Sequence, residues 1–513
     1  MRFIKFLLCL CLLFFAVGNG IGKELGKGMS RLVIIPSWPV KSLDPSKGGY
    51  PLLRYNIAET LVGVDKEGRL KSSLATSWSV HQDKITWEFK LRKRVKFHDN
   101  SPMDAFNVAK YLRFIFHKTG LDKLVPIKEI KASDKYTLLI VTEKPFAPLP
   151  AYLACAKTAI LSTNSFDSKN NFTSPIATGP FKVVKFTSMR EVLLDRFSSY
   201  WGNQAKVDKV VLKSIPDPRS RVPMILSGEV DIAQLIPPQS VLELTKFSNI
   251  KIVKYPITRV RMLQLNCLKN IFRDKRIRRA LQYAINREAI DKEILDGAGM
   301  SAGALFPPLL VWSAKIKPYS YNIHQAKVLL EKAGWKDIDG DGILENTKTK
   351  EKFIIKLVTY PERAELPLIA EVLQDQFRKI GVKVELEVVK VAAIKSIRKK
   401  GDFDIILLSR GLFFIPDPDF IMMQDYYSGR KKWGWGAYGW KSQEVDCLLE
   451  QARTDFNFKN RLNMYRKVQN IIYNESPVIF IDYYVNIDAI RSNISDYNGH
   501  ITEFSYELNR IKK

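Results

Sequence analysis

The sequence predicts a mixed α/β fold that is divided into two or three lobes. A chain of 513 residues is longer than a single hydrophobic core usually supports. Segments with the two-residue period of half-buried strands alternate with segments that have the helical period. No long linker, low-complexity run or internal repeat interrupts this order. Length and alternation together therefore favour a multi-lobed α/β protein.

The first 18 residues have the pattern of a secretory signal peptide. Arg2 and Lys5 precede an apolar run over 6–17, and small residues follow it. Crossing a bilayer core takes about 20 apolar residues, so we expect export rather than a permanent membrane anchor. Cys9 and Cys11 lie inside the run, whereas a lipidated cysteine should end it, so we expect no lipid anchor.

The remaining elements follow in order along the chain. Their bounds rest on apolar periodicity and on Gly, Pro and Asp breakers. Predicted strands span 31–35, 86–91, 191–196, 207–214, 260–266, 353–359, 382–389 and 403–408. Predicted helices span 105–116, 219–227, 275–285, 321–333 and 364–380.

The segment 74–108 is the most informative part of the chain. It is predicted to begin with the end of a helix and a polar turn at 81–84. Alternating apolar residues over 86–91 predict a half-buried strand, and Val95 and Phe97 resume this alternation. A Pro-containing break then leads into a helix. Few protein families use this order.

The segment resembles the pattern of family 5 solute-binding proteins of ABC importers. Lys84, Arg94 and Asn100 stand where that family usually has glycine in turns. Only Asn tolerates positive φ well, so we expect the turns at Lys84 and Arg94 to be reshaped. Further segments match the family in the same order: 42–45, 59–62, 178–181, 200–202, 228–231, 265–266, 272–280, 284–287, 332–335, 417–419 and 445–449.

The resemblance implies a periplasmic binding protein fold, class II and of the large type. Two main lobes are joined by a hinge, and a third subdomain is inserted. Lobe I would combine 19–59, 177–264 and 481–513, the inserted subdomain would span 60–176, and lobe II would span 265–480. The chain would cross between the lobes near the ends of lobe II, where we expect the hinges.

The chain carries a formal net charge of +28. Its Lys and Arg residues are spread along the sequence, whereas a nucleic-acid-binding protein would concentrate them in a stripe or an arm. We therefore expect no nucleic-acid partner. Two interpretations stay open: a lysine-rich solvated surface, or a field that speeds encounter with an anionic ligand or membrane surface.

The motifs give no support for an enzyme, a cofactor or a metal. Residues 337–343 resemble the start of an EF-hand loop, but Lys348 takes the place of the bidentate Glu, so we expect a structural turn. There is no phosphate loop and no Gly-x-Ser-x-Gly elbow. The histidines are scattered without metal-binding spacing: His81, His98, His117, His324 and His500.

Two segments offer ligand-binding groups. Trp38 follows the first strand and resembles the same place in the nickel-binding branch of the family, although it equally fits an aromatic cover on the lobe edge. Residues 409–420 follow the strand at 403–408, whose carboxyl end should point into the cleft.

In peptide-binding members the second segment carries a Trp and an Asp that pairs with the peptide amine; here Gly411 and Phe414 take those positions. Asp417 is a candidate substitute, or a turn former. The histidine of the nickel branch is missing from 420–440, and Leu412 replaces its Trp.

The other candidates are aromatic or cationic and suit an acidic or aromatic organic ligand, or an anionic chelate. Lys157 falls near an arginine of the nickel branch, and the tryptophans around 433–435 fit equally an exposed loop. The predicted ligand-binding residues are Trp38, Lys157, Arg259, Arg261, Arg410, Phe413, Phe414, Asp417, Trp433, Trp435 and Tyr438.

The resemblance implies a periplasmic component that captures a peptide or peptide-like solute by hinge closure. It would deliver the solute, as a monomer and without catalysis, to an inner-membrane ABC permease and ATPase complex. Two alternatives stay open: a nickel- or metal-chelate-binding component, and a surface protein that binds anionic polymers. The disulfide state of Cys155, Cys267 and Cys447 also stays open.

Overall fold

The structure is a computed structural model that describes residues 29–430 and 434–513. The predicted signal peptide, with Cys9 and Cys11, lies outside the described residues, as does Trp433. Among the helices of the described residues, none combines the length and apolarity that crossing a membrane requires. Cys155 and Cys267 are buried, Cys447 is exposed, and all three are free thiols.

Nineteen strands are distributed over the described residues. They are β1 (Arg31–Ile35), β2 (Val62–Val64), β3 (Leu70–Ser72), β4 (Ala75–Val80), β5 (Thr86–Leu91), β6 (Ile127–Asp134), β7 (Thr137–Thr142), β8 (Phe181–Thr187), β9 (Glu191–Arg196), β10 (Lys209–Lys213), β11 (Ile232–Ala233), β12 (Ile250–Leu265), β13 (Gly299–Ser301), β14 (Trp335–Lys336), β15 (Glu345–Asn346), β16 (Ile354–Thr359), β17 (Lys383–Val388), β18 (Ile405–Gly411) and β19 (Val478–Arg491).

The α-helices of the described residues lie mostly between these strands. They are α1 (Tyr50–Arg54), α2 (Ala105–Thr119), α3 (Leu149–Tyr152), α4 (Arg221–Leu226), α5 (Val241–Leu244), α6 (Asn270–Arg273), α7 (Lys275–Ala284), α8 (Arg287–Glu293), α9 (Ile323–Lys332), α10 (Glu365–Arg378), α11 (Val391–Lys400), α12 (Pro418–Asp425), α13 (Gln443–Thr454) and α14 (Phe458–Glu475).

Eleven strands form one long mixed sheet. Its order is β17-β16-β18-β12-β19-β11-β1-β10-β9-β8, and β13 pairs with β19 off this path. A separate antiparallel sheet has the order β4-β5-β7-β6, and β2-β3 and β14-β15 form two small hairpins. The architecture is mixed α/β with one large multi-strand sheet, as expected from the resemblance noted in the sequence.

The long strands β12 and β19 run through both halves of the large sheet. The first part of β12 pairs with the last part of β19, beside β11 and β1, whereas its second part pairs with the start of β19 and with β18. The ladder shifts register between Pro256 and Val260. Extra residues of this kind bend and twist a strand locally, and we refer to the residues between Pro256 and Val260 as the β12 bulge.

Strand β1 shows how the sheet divides the hydrophobic core. Val33 and Ile35 point into the cluster that continues into residues 265–480, and Leu32 and Ile34 point into the cluster shared with the four-stranded sheet and α2. Successive strand residues face opposite sides, so four consecutive apolar residues serve two cores.

The structure confirms the strands predicted at 31–35, 86–91 and 191–196 and corrects two expectations. The segment predicted as the end of a helix is strand β4, which pairs with β5. The turns at Lys84 and Arg94 are not reshaped: their φ angles are 57° and 61°, close to the 64° of Asn100. The turn geometry is kept, and Lys84 and Arg94 adopt the left-handed backbone conformation although each has a long side chain.

Candidate functional site

A cavity of about 1000 Å³ lies where residues 411–414 face the segments around β1, the β12 bulge and the C-terminus. Four predicted ligand-binding residues line it: Trp38, Arg259, Phe413 and Phe414. Its volume is at the upper end of the range for small-molecule sites, which are mostly apolar with a few placed polar groups.

Arg259 is the polar group that stands out in this cavity. It lies in the β12 bulge, opposite Gly411 of β18, and is half-buried. Within residues 29–430 and 434–513, no group hydrogen-bonds or ion-pairs with its guanidinium. Burial, followed by the nearby charge of Arg363, lowers its pKa. An uncompensated guanidinium in a cavity is a ready binding group for a carboxylate or another anion.

A second arginine lies close to Arg259 at the edge of the cleft. Arg363 follows β16, and its guanidinium carbon is 5.3 Å from the centre of the Trp38 ring and 5.0 Å from that of Tyr484. No hydrogen bond or ion pair of this guanidinium occurs within the described ranges. Trp38, which is 46% exposed, therefore packs by a cation-π contact against the opposite side of the cleft.

Phe413 and Phe414 form the wall contributed by the segment after β18. A Cβ added to Gly411 would come within 2.7 Å of Cζ of Phe414, so the absence of a side chain at 411 makes room for this ring. Phe414 faces Tyr50 at 6.0 Å between ring centres, and Phe413 faces Phe504 at 6.2 Å. This wall is aromatic where peptide-binding relatives are expected to have an acid.

Asp417 lies outside the cavity. It caps the N-terminus of α12 by accepting from the backbone amide of Asp419 at 2.9 Å. Its two carboxylate oxygens each lie 2.8 Å from Nη2 of the buried Arg461. Both carboxylate oxygens of Asp417 are therefore engaged within the protein and do not face a ligand in the cavity.

Arg410, Trp435 and Tyr438 come together, but not at the cavity. Arg410 forms a two-pronged ion pair with Asp425 at 2.9 and 3.0 Å. Trp435 donates its backbone amide to the same carboxylate at 3.0 Å and stacks on Arg398, whose carbonyl accepts from the Tyr438 hydroxyl. These residues hold the loop after α12.

Arg261 and Lys157 are also engaged elsewhere. Arg261 ion-pairs with Asp482 and with Glu365, and its guanidinium carbon lies 3.5 Å from the centre of the Tyr484 ring. Burial raises the pKa of Asp482 to about 6. Lys157 directs its ammonium at the carbonyl of Thr119, 3.4 Å away.

A lysine forms ion pairs with the acidic residues of the loop at 337–343. Lys352 places its ammonium 2.9 Å from Asp339 and 3.7 Å from Glu345, and it also contacts Asp341. Asp337 accepts from the amides of Gly340 and Gly342, as in a tight turn. The loop is thus neutralised in part by the protein's own cation.

Sequence reasoning missed three residues that shape the site: Arg363, Tyr50 and Glu503. Arg363 follows the carboxyl end of β16, so the rule that ligands bind there would have found it. Tyr50 and Glu503 both line the cavity although they come from opposite ends of the chain. No local sequence pattern predicts that two such distant segments meet.

The chain is similar to known proteins in both sequence and structure. The profile described as bacterial extracellular solute-binding proteins, family 5 Middle, matches residues 69–433. The chain is 28% identical to the oligopeptide-binding protein AppA of Bacillus subtilis over 476 residues, 88% of this chain and 85% of AppA. It is 26% identical to the nickel-binding protein NikA of Staphylococcus aureus over 482 residues, 93% of each chain.

The solved structure of a nickel ABC transporter protein from Bacillus halodurans is similar throughout. Its TM-score is 0.81 at 25% identity, and the match covers 94% of this chain and 99% of that one. The sequence match and the shared fold agree, and the chain belongs to the family 5 bacterial extracellular solute-binding proteins.

Proposed function

We propose that the protein captures a peptide-like solute in the cavity around Arg259 and delivers it to an ABC permease and ATPase complex of the inner membrane. It acts in the periplasm, after removal of residues 1–18, as a monomer and without catalysis. Membership of a family of solute-binding proteins supports this role, and relatives named for oligopeptide and dipeptide binding support the ligand class.

The observation that carries the proposal is Arg259, whose guanidinium has no ion-pair or hydrogen-bond partner within residues 29–430 and 434–513. A half-buried guanidinium without a partner costs free energy in the empty protein, and an anionic ligand group removes that cost. The arginine also lies at the β12 bulge, where the two halves of the large sheet meet. Binding there therefore touches the place where the lobes move relative to each other.

The proposed lobes follow the sequence division: 19–59, 177–264 and 481–513 for lobe I, 60–176 for the inserted subdomain and 265–480 for lobe II. Residues 411–414 then belong to lobe II and most other cavity residues to lobe I. Within that division we place the hinge at the β12 bulge and the facing part of β19, which lie slightly inside the lobe I side of the sequence boundaries. Capture would proceed by closure of lobe II over the ligand.

A metal-binding role would need a metal that arrives as an anionic complex. Among the described residues that line the cavity there is no His or Cys, and its one carboxylate, Glu503, is paired with Arg54. These groups can hold the carboxylates of a chelate but offer poor ligands to a bare transition metal.

The test is native mass spectrometry of the mature protein isolated from a periplasm, compared with the variants Arg259→Ala and Arg273→Ala. Arg273, on the surface in α6, provides the matched control. We expect a bound organic acid or peptide on the wild-type protein and on Arg273→Ala, and a more than tenfold loss of affinity in Arg259→Ala. A ligand retained equally by all three proteins would contradict the proposed anchor.

A further inference from the structure

We propose that the cavity selects an anionic solute with an apolar body and without a free amino group, such as an N-blocked peptide. This inference rests on the proposed function, since it names the ligand class of the same site. It comes from the charges that line the cavity and from the shape of the wall at Phe414.

The charge of the lining is strongly one-sided. Its cationic residues are Lys41, Lys47, Arg54 and Arg259, whereas Glu503 is its one acidic residue among those the structure describes. Glu503 is already neutralised: its carboxylate lies 3.4 Å from Nη2 of Arg54, and its carbonyl accepts from Nε of the same arginine at 3.0 Å. No uncompensated carboxylate in the described lining is left to receive an ammonium group.

Three cations of the lining that have no ion pair in the described part of the chain lie at two depths. Arg259 is half-buried in the β12 bulge, while Lys41 and Lys47 are exposed, and neither lysine side chain has an ion pair within the described residues. A ligand carboxylate would displace water at Arg259, where the interaction is strongest, because screening weakens as burial increases. The lysines would favour a further acidic group near the entrance.

The wall after β18 excludes an amine anchor by its shape as well as its chemistry. The Phe414 ring lies so close to Gly411 that a Cβ added there would come within 2.7 Å of the ring, and it contacts Tyr50 from the opposite side of the cleft. Asp417, the nearest acid along the chain, is turned away and bound to Arg461. An ammonium group placed here would lose its hydration without gaining a counter-charge.

The rest of the lining suits an apolar body. Trp38, Tyr50, Phe186, Phe413, Phe414 and Phe504 all line the cavity. Aromatic walls of this kind bury apolar area and orient flat groups, and they do not compensate a fully solvated charge such as an N-terminal ammonium without a carboxylate nearby. The cavity therefore combines an anion site with an apolar chamber.

The test uses two equimolar pools of tri- to pentapeptides with apolar and aromatic side chains, one pool N-acetylated and the other with free amino groups. Native mass spectrometry identifies the retained members, and calorimetry gives their dissociation constants. We expect wild-type protein to retain N-acetylated acids at least tenfold more tightly than their free-amine counterparts. Amidation of the peptide carboxylate should cost at least a further tenfold.

Two variants locate the effect. Phe414→Asp supplies a carboxylate at the wall and should reverse the preference toward free-amine peptides. Arg259→Ala should weaken the binding of peptides with a free carboxylate and leave the binding of their amides unchanged. If Phe414→Asp does not fold, this variant alone tests whether the cavity binds the ligand carboxylate. Tighter binding of free-amine peptides by the wild-type protein would overturn the inference and leave the proposed function intact. Retention of no member of either pool would contradict the proposed function for peptides and remove the inference with it.

Discussion

The hydroxyl of Tyr152 donates a hydrogen bond of 3.0 Å to Oδ2 of Asp419, and this bond joins the proposed inserted subdomain to the first turn of α12 in lobe II. Both residues are fully buried. Arg453 pairs with Asp419 from within lobe II at 2.8 Å, and its carbonyl accepts from the amide of Ala147 at 2.7 Å. In the proposed division into lobes, opening about the β12 bulge would break this contact, so we expect it to act as a latch between the inserted subdomain and lobe II.

Tyr152→Phe removes one donor from a buried carboxylate. Loss of a hydrogen bond to a buried charged group typically costs about 1–3 kcal/mol, and we expect the free energy of unfolding to fall by that amount in denaturant titrations. Small-angle scattering should show a larger radius for the ligand-free variant. Tyr321→Phe, at an exposed tyrosine, is the control and should change stability by less than about 0.5 kcal/mol. Equal losses in both variants would argue against the latch.

The same substitution, Arg to Met, should change stability in opposite directions at Arg461 and Arg259. Arg461→Met leaves Asp417 buried without its partner, which should cost about 3–5 kcal/mol. Arg259→Met removes a half-buried guanidinium that lacks an ion pair or hydrogen bond within the described ranges, so the stability of ligand-free protein should stay equal or rise. Thermal melts of both variants check the signs. A loss in Arg259→Met comparable to that in Arg461→Met would show that Arg259 is a structural residue.

The comparison of these two arginines shows what the sequence can predict. Strand alternation correctly located β5 and β9, because period-two burial is a local property. The pairing of Asp417 with Arg461 joins residues 44 positions apart, and no periodicity reveals it. The sequence indicates only a local role for Asp417, as a turn former before a proline, and the structure shows that this residue caps α12.

The cavity was predictable only in part for the same reason. The carboxyl end of β18 pointed to Phe413 and Phe414, and the same rule applied to β16 would have indicated Arg363. Arg410 and Arg261 lie on the same two strands as cavity residues, yet they face Asp425 and Asp482 instead. The side of the sheet on which each arginine side chain lies depends on the strand register and on the β12 bulge. Neither could be predicted from the sequence.

Lys84 and Arg94 lie in left-handed turns, with φ angles of 57° and 61°. A residue with a Cβ pays about 1 kcal/mol for this conformation, whereas glycine does not, although glycine loses more entropy on folding. We expect Lys84→Gly and Arg94→Gly to raise the free energy of unfolding by about 0.5 kcal/mol each. Lys93→Gly is the adjacent control: φ of Lys93 is not positive, so this change should lower stability by a similar amount. Destabilisation by all three changes would contradict the argument.

Glu59 should make stability depend on pH. Its carboxylate accepts from the Tyr200 hydroxyl and from Nε1 of Trp201, both at 2.8 Å, and burial raises its pKa from 4.5 to about 7. Between these two pH values the folded protein keeps a proton that the unfolded chain has lost. The contribution of Glu59 is therefore fully present below pH 4.5 and is lost as the pH rises toward 7.

Glu59→Gln isolates this contribution because the amide does not titrate. One pKa unit corresponds to about 1.4 kcal/mol, and the side chain keeps some solvent contact, so we expect a loss of about 2 kcal/mol across this range. The wild-type free energy of unfolding, measured from pH 4.5 to 8, should decline relative to that of Glu59→Gln and then run parallel to it. The acids Asp482 and Asp488, with pKa values raised to about 6, are present in both proteins and cancel in the difference. If instead the wild-type protein became more stable than Glu59→Gln as the pH rises, the hydrogen bonds from Tyr200 and Trp201 would outweigh burial in setting the pKa of Glu59.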